Sequence, residues 1–391
     1  MNYILFDQKR IKKSLLPLTY FRPVSVMRCG ILTLKKKWEI FLNQPVYTLS
    51  ETYLSEKFPV YFEEDNIYIN SALLPDKDLL QAIQTLNFNE RLVSNNMILA
   101  FRSEKLSWEA VQNFKGKTQV FQKSVESIQK TYDIFKKNGE QIQKDFKRIT
   151  QNRQSQKLSL TNTKIGKYPV FLEEGAVVEA VIFNTDDGPV YIGKNAKILE
   201  GSMIRGPFAA LDNTVVKMGA KIYGGTTLGP NTKVGGEIKE TVFFGNSNKG
   251  HDGYLGDSVI AEWCNLGADT NNSNLKNNYS NVKLWDYTQM DFADTGLQFC
   301  GLIMGDHSKC GIATMFNTGT VVGVSSNIFG GDYQPKFFPS FKWGGQQYTD
   351  YRYDKAVEVA KAVMKRRQKQ FDKIEAHLFE KVYHLVKEIE R

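Results

Sequence analysis

The feature that most constrains this chain is a six-residue repeat. Ile192, Ile198, Ile204, Ala210, Val216, Ile222, Leu228 and Val234 follow one another six apart, and every one is aliphatic. Hydrophobic residues make up 41% of the chain, so eight such slots in a row arise by chance about once in a thousand draws. A shorter run precedes it (Val170, Ala176, Ile182), and another follows: Met304, Cys310, Phe316, Val322, Ile328. A period of six fits neither an α-helix nor strand alternation. It fits a parallel β-helix, in which each hexapeptide makes one flat side and one corner and three sides close a coil of about eighteen residues. The aliphatic slots point inward and stack from coil to coil. A lone coil cannot bury that face, so stability comes from stacking.

The repeat sets the rest of the organisation. Residues 1–160 read as a mixed α/β domain, with short strands at Tyr3–Phe6, Ile31–Leu34 and Ile67–Ile69 and a helix at Lys77–Leu86 behind Asp76. Ile128, Phe135, Ile142 and Phe146 stand near helical spacing and predict an amphipathic helix over 120–148. The polar stretch 151–157 reads as a linker. The β-helix is expected over 166–345. Residues 350–391 read as one charged amphipathic helix, carrying His377 and His384, that packs on its own chain or on a neighbouring subunit. The six-residue period breaks over 235–259 and again over 270–300. Insertions in a solenoid gather on one face, often the binding face.

Composition narrows the classes further. No run of eighteen apolar residues occurs, so no membrane span is expected. The apolar start ends at Asp7, too soon for a signal peptide. Cys29, Cys264, Cys300 and Cys310 lack Cys-x-x-Cys spacing, which suits a reducing compartment, and a cytoplasmic protein is expected. Net charge is +9, and the first 50 residues hold nine Lys and Arg against two acids. Such a field attracts polyanions unless it is simply a solvated face. No nucleic-acid-binding motif accompanies it, so small phosphorylated ligands are the expected partners rather than nucleic acid.

Four histidines are present, and His251 alone lies in the glycine-rich break of the repeat. His307 sits among regular later repeats and reads as structural. Imidazole suits general-base work because it titrates near neutrality. Acyl transfer to an amine also needs a donor for the developing oxyanion and cations to hold a phosphate on the acceptor. Lys239, Lys249 and Tyr254 lie close to His251 in sequence, and Asn265 and Asn274 follow on the next coil.

The block Lys249-Gly-His-Asp-Gly-Tyr-Leu-Gly-Asp257, then Asn265-Leu-Gly-Ala268, then Asn274, resembles the acetyltransferase half of a known bifunctional family. Its members are N-acetylglucosamine-1-phosphate uridyltransferases and glucosamine-1-phosphate acetyltransferases. Gly206-Pro-Phe-Ala209 resembles a further stretch of that family. The resemblance covers roughly 190–330 and is closer to a divergent branch than to the standard enzyme. It implies a left-handed parallel β-helix, a homotrimer with sites between subunits, and acetyl-coenzyme A as acyl donor. It further implies His251 as catalytic base and Lys239, Tyr254, Asn265 and Asn274 as sugar-phosphate ligands. Ala268 would meet the thioester through its backbone. Two positions depart: the family's phosphate-binding Arg is Asp212 here, and a Tyr is Leu275. Lys239, Lys276 or Lys283 are candidates to compensate.

The N-terminal segment is similar, more distantly, to sugar nucleotidyltransferases, through Leu16-Pro-Leu-Thr-x-x-Arg22-Pro23. The family's glycine-rich phosphate loop is replaced by Asp7-Gln-Lys-Arg10. Arg22 and Arg28 are candidate phosphate ligands. Asp7 and Asp76 are the carboxylates available for the Mg²⁺ that nucleotidyl transfer would require; the metal ligands themselves stay unassigned. The combined expectation is an enzyme of nucleotide-sugar synthesis that acetylates glucosamine-1-phosphate and joins a sugar-1-phosphate to a nucleoside triphosphate. Two alternatives stay open: a nucleotidyltransferase whose β-helix only trimerises and regulates, and a non-enzymatic trimeric scaffold that binds a sugar phosphate.

Overall fold

In the computed structural model, which describes residues 2–390, the chain divides into two compact units. One takes the residues up to 27, 32–130 and 373–382. The other takes 28–31, 131–372 and the residues from 383 on.

The first unit is built on a six-stranded sheet. Strand β1 (Asn2–Phe6) lies between β2 (Tyr47–Leu49) and β3 (Asn66–Asn70) and runs parallel to both. Beyond β3, β4 (Glu90–Ser94) and β5 (Met97–Ser103) pair antiparallel, with β5 against β3, and β6 (Lys117–Val120) closes the edge beside β4. All five residues of β1 are buried because both sheet faces are covered. Tyr3 and Leu5 pack with Trp38, Leu79 and Ile83, whereas Ile4 and Phe6 pack with Phe101, Val111 and Phe114. That gives the near-continuous apolar run of a doubly covered strand.

The expected strands at Tyr3–Phe6 and Ile67–Ile69 are present, each slightly longer. The helix Lys77–Gln84 begins where Asp76 accepts a hydrogen bond from Leu79 N at 2.8 Å. Ile31–Leu34, however, is not a strand. Leu34 opens the helix Leu34–Leu42, and the Thr33 hydroxyl caps it by accepting from Lys36 N at 3.2 Å. The capping chemistry outweighs three β-favouring residues.

The second unit carries the helix Asp133–Thr150, shorter than expected at its start, and the parallel β-helix. Val190–Ile192 pairs with Val170–Leu172 on one side and Phe208–Ala210 on the other, and Phe208–Ala210 pairs with Thr226–Leu228. From Val190 to Phe208 to Thr226 the partners stand eighteen residues apart, one coil each. The eight aliphatic slots and the later run from Met304 to Ile328 are buried in one continuous core. The first coils differ from the expected register. Ile182 is 45% exposed, and the inward positions are Leu172, Val178 and Phe183. Asn195, Asn213, Asn231 and Asn246 take one corner at φ 55–59°, a conformation asparagine tolerates better than other L-residues. His307 takes the corresponding corner of a later coil at φ 62° and stacks on Trp263 with ring centroids 6.2 Å apart.

Both breaks in the period have a structural cause. Between Val234 and Leu266 the slots in register with the aliphatic ladder are Ile238, Phe243, Lys249, Leu255 and Ile260, because some corners lose one or two residues. In the second break, Asn271–Asn272 stays in the coil beside Met315–Phe316, and the excursion that follows folds into an antiparallel hairpin of Lys283–Asp286 and Asp291–Asp294. The tail is two helices, Tyr353–Arg366 and Lys373–Ile389, not one. The first ends near Gln368, whose φ of 56° cannot continue a helix. Among the described residues no helix is long and apolar enough to cross a membrane.

Candidate active site

The corner that carries His251 is held from inside the coil. Lys249 occupies an inward slot in register with Val234 and is fully buried. Its Nζ donates to the carbonyl oxygens of His251 at 3.1 Å and Asp252 at 2.9 Å. Burial lowers its pKa to about 8, against the opposing pull of the Asp252 carboxylate. Gly253 closes the turn at φ 109°, and a Cβ there would stand 2.2 Å from the Thr270 carbonyl oxygen. The turn is therefore pegged while His251 itself is exposed. Ala268 lies in the same corner of the next coil, where Asp269 N donates to the Asp252 carbonyl at 3.0 Å. The Ala268 carbonyl is taken in turn by Ala313 N at 2.8 Å.

One residue past this turn begins a cluster on the adjoining face. Tyr254 and Gly256 point to the same side of one strand, and the tyrosine ring folds back over the glycine. A Cβ on Gly256 would meet the Tyr254 hydroxyl at 2.2 Å, so only glycine leaves it room. Asn274 Nδ2 donates to the Tyr254 hydroxyl at 2.8 Å and to Asp257 Oδ2 at 2.5 Å. Lys239 Nζ stands 3.8 Å from Asp257 Oδ2 and 3.7 Å from Glu240, over the ring of Phe299. Asp257 is buried, and that desolvation raises its carboxyl to about 6 although Asn274 and Lys239 pull it down. Burial likewise pushes the Tyr254 phenol up. The structure thus brings Lys239, Tyr254 and Asn274 together and adds Asp257, which sequence reasoning did not single out. Its signal was there: Gly-Asp closes the quoted block.

Asn265 is on a different face, in the ladder of Asn248 and Lys309, with its Oδ1 3.4 Å from Asn248 Nδ2. Asn248 Oδ1 in turn accepts from Arg367 Nη2 at 2.6 Å. The corner bearing His251 joins these two faces. Of the compensating lysines, Lys276 is tied to its own loop through Ser280 and Asn281, and Lys283 stands exposed on the hairpin. Asp212 accepts from Lys194 N at 3.0 Å, so it serves a corner turn.

The N-terminal candidates disperse. Arg22 is buried and donates to the Leu18 carbonyl at 3.1 Å. Arg28 belongs to the other unit, donates to the Ile31 carbonyl, and is lowered to about 10 by burial. Of the nine N-terminal cations, Lys12, Arg22 and Lys37 are buried, so part of the positive charge faces inward. The parallel register aligns Phe6 with Leu49 and Asn70, which sets the next residues, Asp7, Ser50 and Ser71, side by side. Asp7 accepts from Ser50 Oγ at 2.6 Å, Ser71 Oγ at 2.5 Å and Val24 N at 3.2 Å, with no exposed surface. Burial raises its pKa against Lys12 and these donors. Asp76 caps a helix. With both oxygens engaged and no exposed surface, Asp7 does not fit a Mg²⁺ site as built, and Asp76 commits its Oδ1 to the helix cap.

An α/β domain with parallel strands at its start and a β-helix of hexapeptide repeats with a polar corner site together define a transferase-like architecture. The relatives agree. Residues 3–154 match the sugar nucleotidyl transferase family. The chain is 27% identical over 154 residues to an uncharacterized acetyltransferase, YaiX, of Escherichia coli O6:K15:H31, covering 39% of this chain and 66% of that protein. It is 35% identical over 111 residues to the bifunctional protein GlmU of Methanococcus aeolicus, covering 28% and 26%. It is 32% identical over 146 residues to a bifunctional sugar-1-phosphate nucleotidylyltransferase/acetyltransferase of Sulfurisphaera tokodaii, covering 37% and 36%. The chain thus spans two thirds or less of these relatives. The solved polySia-specific acetyltransferase NeuO overlays with a TM-score of 0.27 at 15% identity, covering 49% of this chain and 86% of that one, too slight an overlap to carry an argument. The resemblance read from the motifs is supported by these relatives, of which the Escherichia coli and Sulfurisphaera tokodaii proteins are transferases by name.

Proposed function

We propose that the β-helix transfers an acetyl group from acetyl-coenzyme A to the amine of glucosamine-1-phosphate. His251 takes the proton from the attacking amine. The nitrogen bonds to the thioester carbon, the C–S bond breaks, and the proton leaves with coenzyme A as its thiol. The Ala268 N–H would face the thioester oxygen as charge develops on it. Lys239, Tyr254 and Asn274 would hold the sugar phosphate, and Asn265, on the other side of the corner, would complete the site from a neighbouring subunit of a homotrimer. The observation that carries this reading is the joining of Lys239, Tyr254, Asp257 and Asn274 beside an exposed histidine on a turn pegged by Lys249.

Joining of a sugar-1-phosphate to a nucleoside triphosphate is the second proposed activity, favoured by the family match over 3–154. A bound Mg²⁺ would shield the triphosphate charge. Because Asp7 does not fit that ion and Asp76 serves a helix cap, no step is assigned through it.

The test is release of free thiol from acetyl-coenzyme A in the presence of glucosamine-1-phosphate. Loss of the base in His251→Ala should slow it about 10²–10⁴-fold. Thiol release that is absent in the wild type sinks the acetyl-transfer reading.

A further inference from the structure

Two hydrogen bonds leave the Asn274 side chain from a single atom. One hydrogen of Nδ2 goes to Asp257 Oδ2 and the other to the Tyr254 hydroxyl oxygen. An ionised carboxylate can only accept. The nitrogen of the Asn274 amide, and not its oxygen, is therefore the atom that faces Asp257. The Tyr254 hydroxyl then accepts from Asn274, which leaves its own hydrogen to be donated elsewhere. The Asn274 carbonyl oxygen is turned away from both partners. The surroundings hold this order in place: Gly256 leaves room for the hydroxyl, and Asn272 clamps Gly256 through Oδ1 to its N–H at 2.8 Å and Nδ2 to its carbonyl at 3.1 Å.

We propose that Asp257 is a positioning residue that gives the acceptor site its polarity. Through Asn274 it presents the Tyr254 hydroxyl as a donor, suited to a phosphate oxygen. It also presents the Asn274 carbonyl oxygen as an acceptor, suited to a sugar hydroxyl or amine N–H. The inference rests on the reading that a sugar phosphate binds at this cluster. The charged and titratable groups facing Asp257 are Lys239 and Glu240 from the strand Glu237–Phe243, Tyr254 from its own strand, and the buried Cys300 thiol. Protonation of Asp257 lets its carboxyl donate as well as accept, and the constraint on Asn274 relaxes.

The experiment is calorimetric binding of glucosamine-1-phosphate at pH 8, without acetyl-coenzyme A, to folded wild-type protein and variants. Asp257→Ala and Tyr254→Phe should each weaken binding about 10-fold or more, the scale of one hydrogen bond to a charged group. Combined, they should cost no more than the worse single change, since both act through one chain of bonds. Asp257→Asn, which like a protonated carboxyl can donate as well as accept, lifts the constraint on Asn274 and should weaken binding to about the level the wild type reaches at pH 5. Between pH 7 and pH 5 the wild type should lose affinity beyond the loss seen in Asp257→Asn. Wild-type binding by Asp257→Ala, multiplying effects in the double variant, or identical pH profiles would overturn the proposal. If wild type binds no glucosamine-1-phosphate, the acceptor reading fails by itself. The Asn274 side-chain amide proton resonances then decide the hydrogen-bond order: they should move in both Asp257→Ala and Tyr254→Phe, and unmoved resonances would overturn it.

Discussion

Two buried aspartates, one in each compact unit, meet their surroundings in opposite ways. Asp7 follows β1 at the strand ends where open α/β sheets hold ligands, yet Ser50, Ser71 and the Val24 N–H occupy its oxygens and it has no exposed surface. Asp257 is almost as deeply buried, but its partner Asn274 reaches on to half-buried Tyr254, and Lys239 beside it is 30% exposed. The first network closes on itself. The second passes its polarity outward to a surface. A buried carboxylate whose oxygens are taken up within the fold has none left to offer a ligand as built; a carboxylate that orients a half-exposed neighbour can act on a ligand.

The comparison can be broken most severely at Gly256. Gly256→Val should displace the Tyr254 hydroxyl and lower acetyl transfer about 100-fold while the coils remain folded, the scale of losing two charge-assisted contacts; an active variant in the thiol assay would show that the hydroxyl's place is unimportant. Lys249→Met comes next. It removes the peg under the His251 turn and should cost about 10-fold in acetyl transfer, with circular dichroism unchanged.

Lys249 also makes a pH prediction. Its folded pKa of about 8 lies below the unfolded value of roughly 10.4. Between those values the unfolded chain keeps a proton that the folded chain has released, so this group's contribution to stability rises with pH. Denaturant midpoints of wild type relative to Lys249→Met should climb across that window, and a flat difference would contradict the assignment. Asp257 behaves with the opposite sign. Its folded pKa of about 6 lies above the unfolded value near 3.9, so its contribution is present below about pH 4 and is lost as pH rises through 6. Asp257→Asn should remove that decline. The smallest effect on acetyl transfer belongs to Asp7→Asn, which sets an amide N–H against existing donors. It should lower stability by about 1–3 kcal/mol in urea titration and leave thiol release unchanged.

Much of the β-helix was legible because its core is set by one strict spacing. Ile192 through Val234 and Met304 through Ile328 all point inward as expected. The first coils misled because Val170, Ala176 and Ile182 form a second apolar run two residues ahead of the true inward positions Leu172 and Val178. The break over 235–259 hid its inward residues because corners shorten and because one inward slot holds Lys249, which no apolar pattern can find. Tyr254, Asn274 and Lys239 were readable from motif spacing. Asp257 was not singled out, since its role comes from a hydrogen bond to a residue one coil away. Ile31–Leu34 misled as a strand because Thr33 caps a helix, and of the nine N-terminal cations three, Lys12, Arg22 and Lys37, turn inward, which no linear charge count can show.

The central claim is that acetyl transfer takes place at the His251 corner and not at the end of β1. The most direct measurement is thiol release from acetyl-coenzyme A with glucosamine-1-phosphate, run side by side on wild type, His251→Ala and Asp7→Asn below their unfolding temperatures. The account predicts a loss of about 10²–10⁴-fold in His251→Ala and wild-type turnover in Asp7→Asn. Turnover that survives in His251→Ala, or that disappears in folded Asp7→Asn, would contradict it.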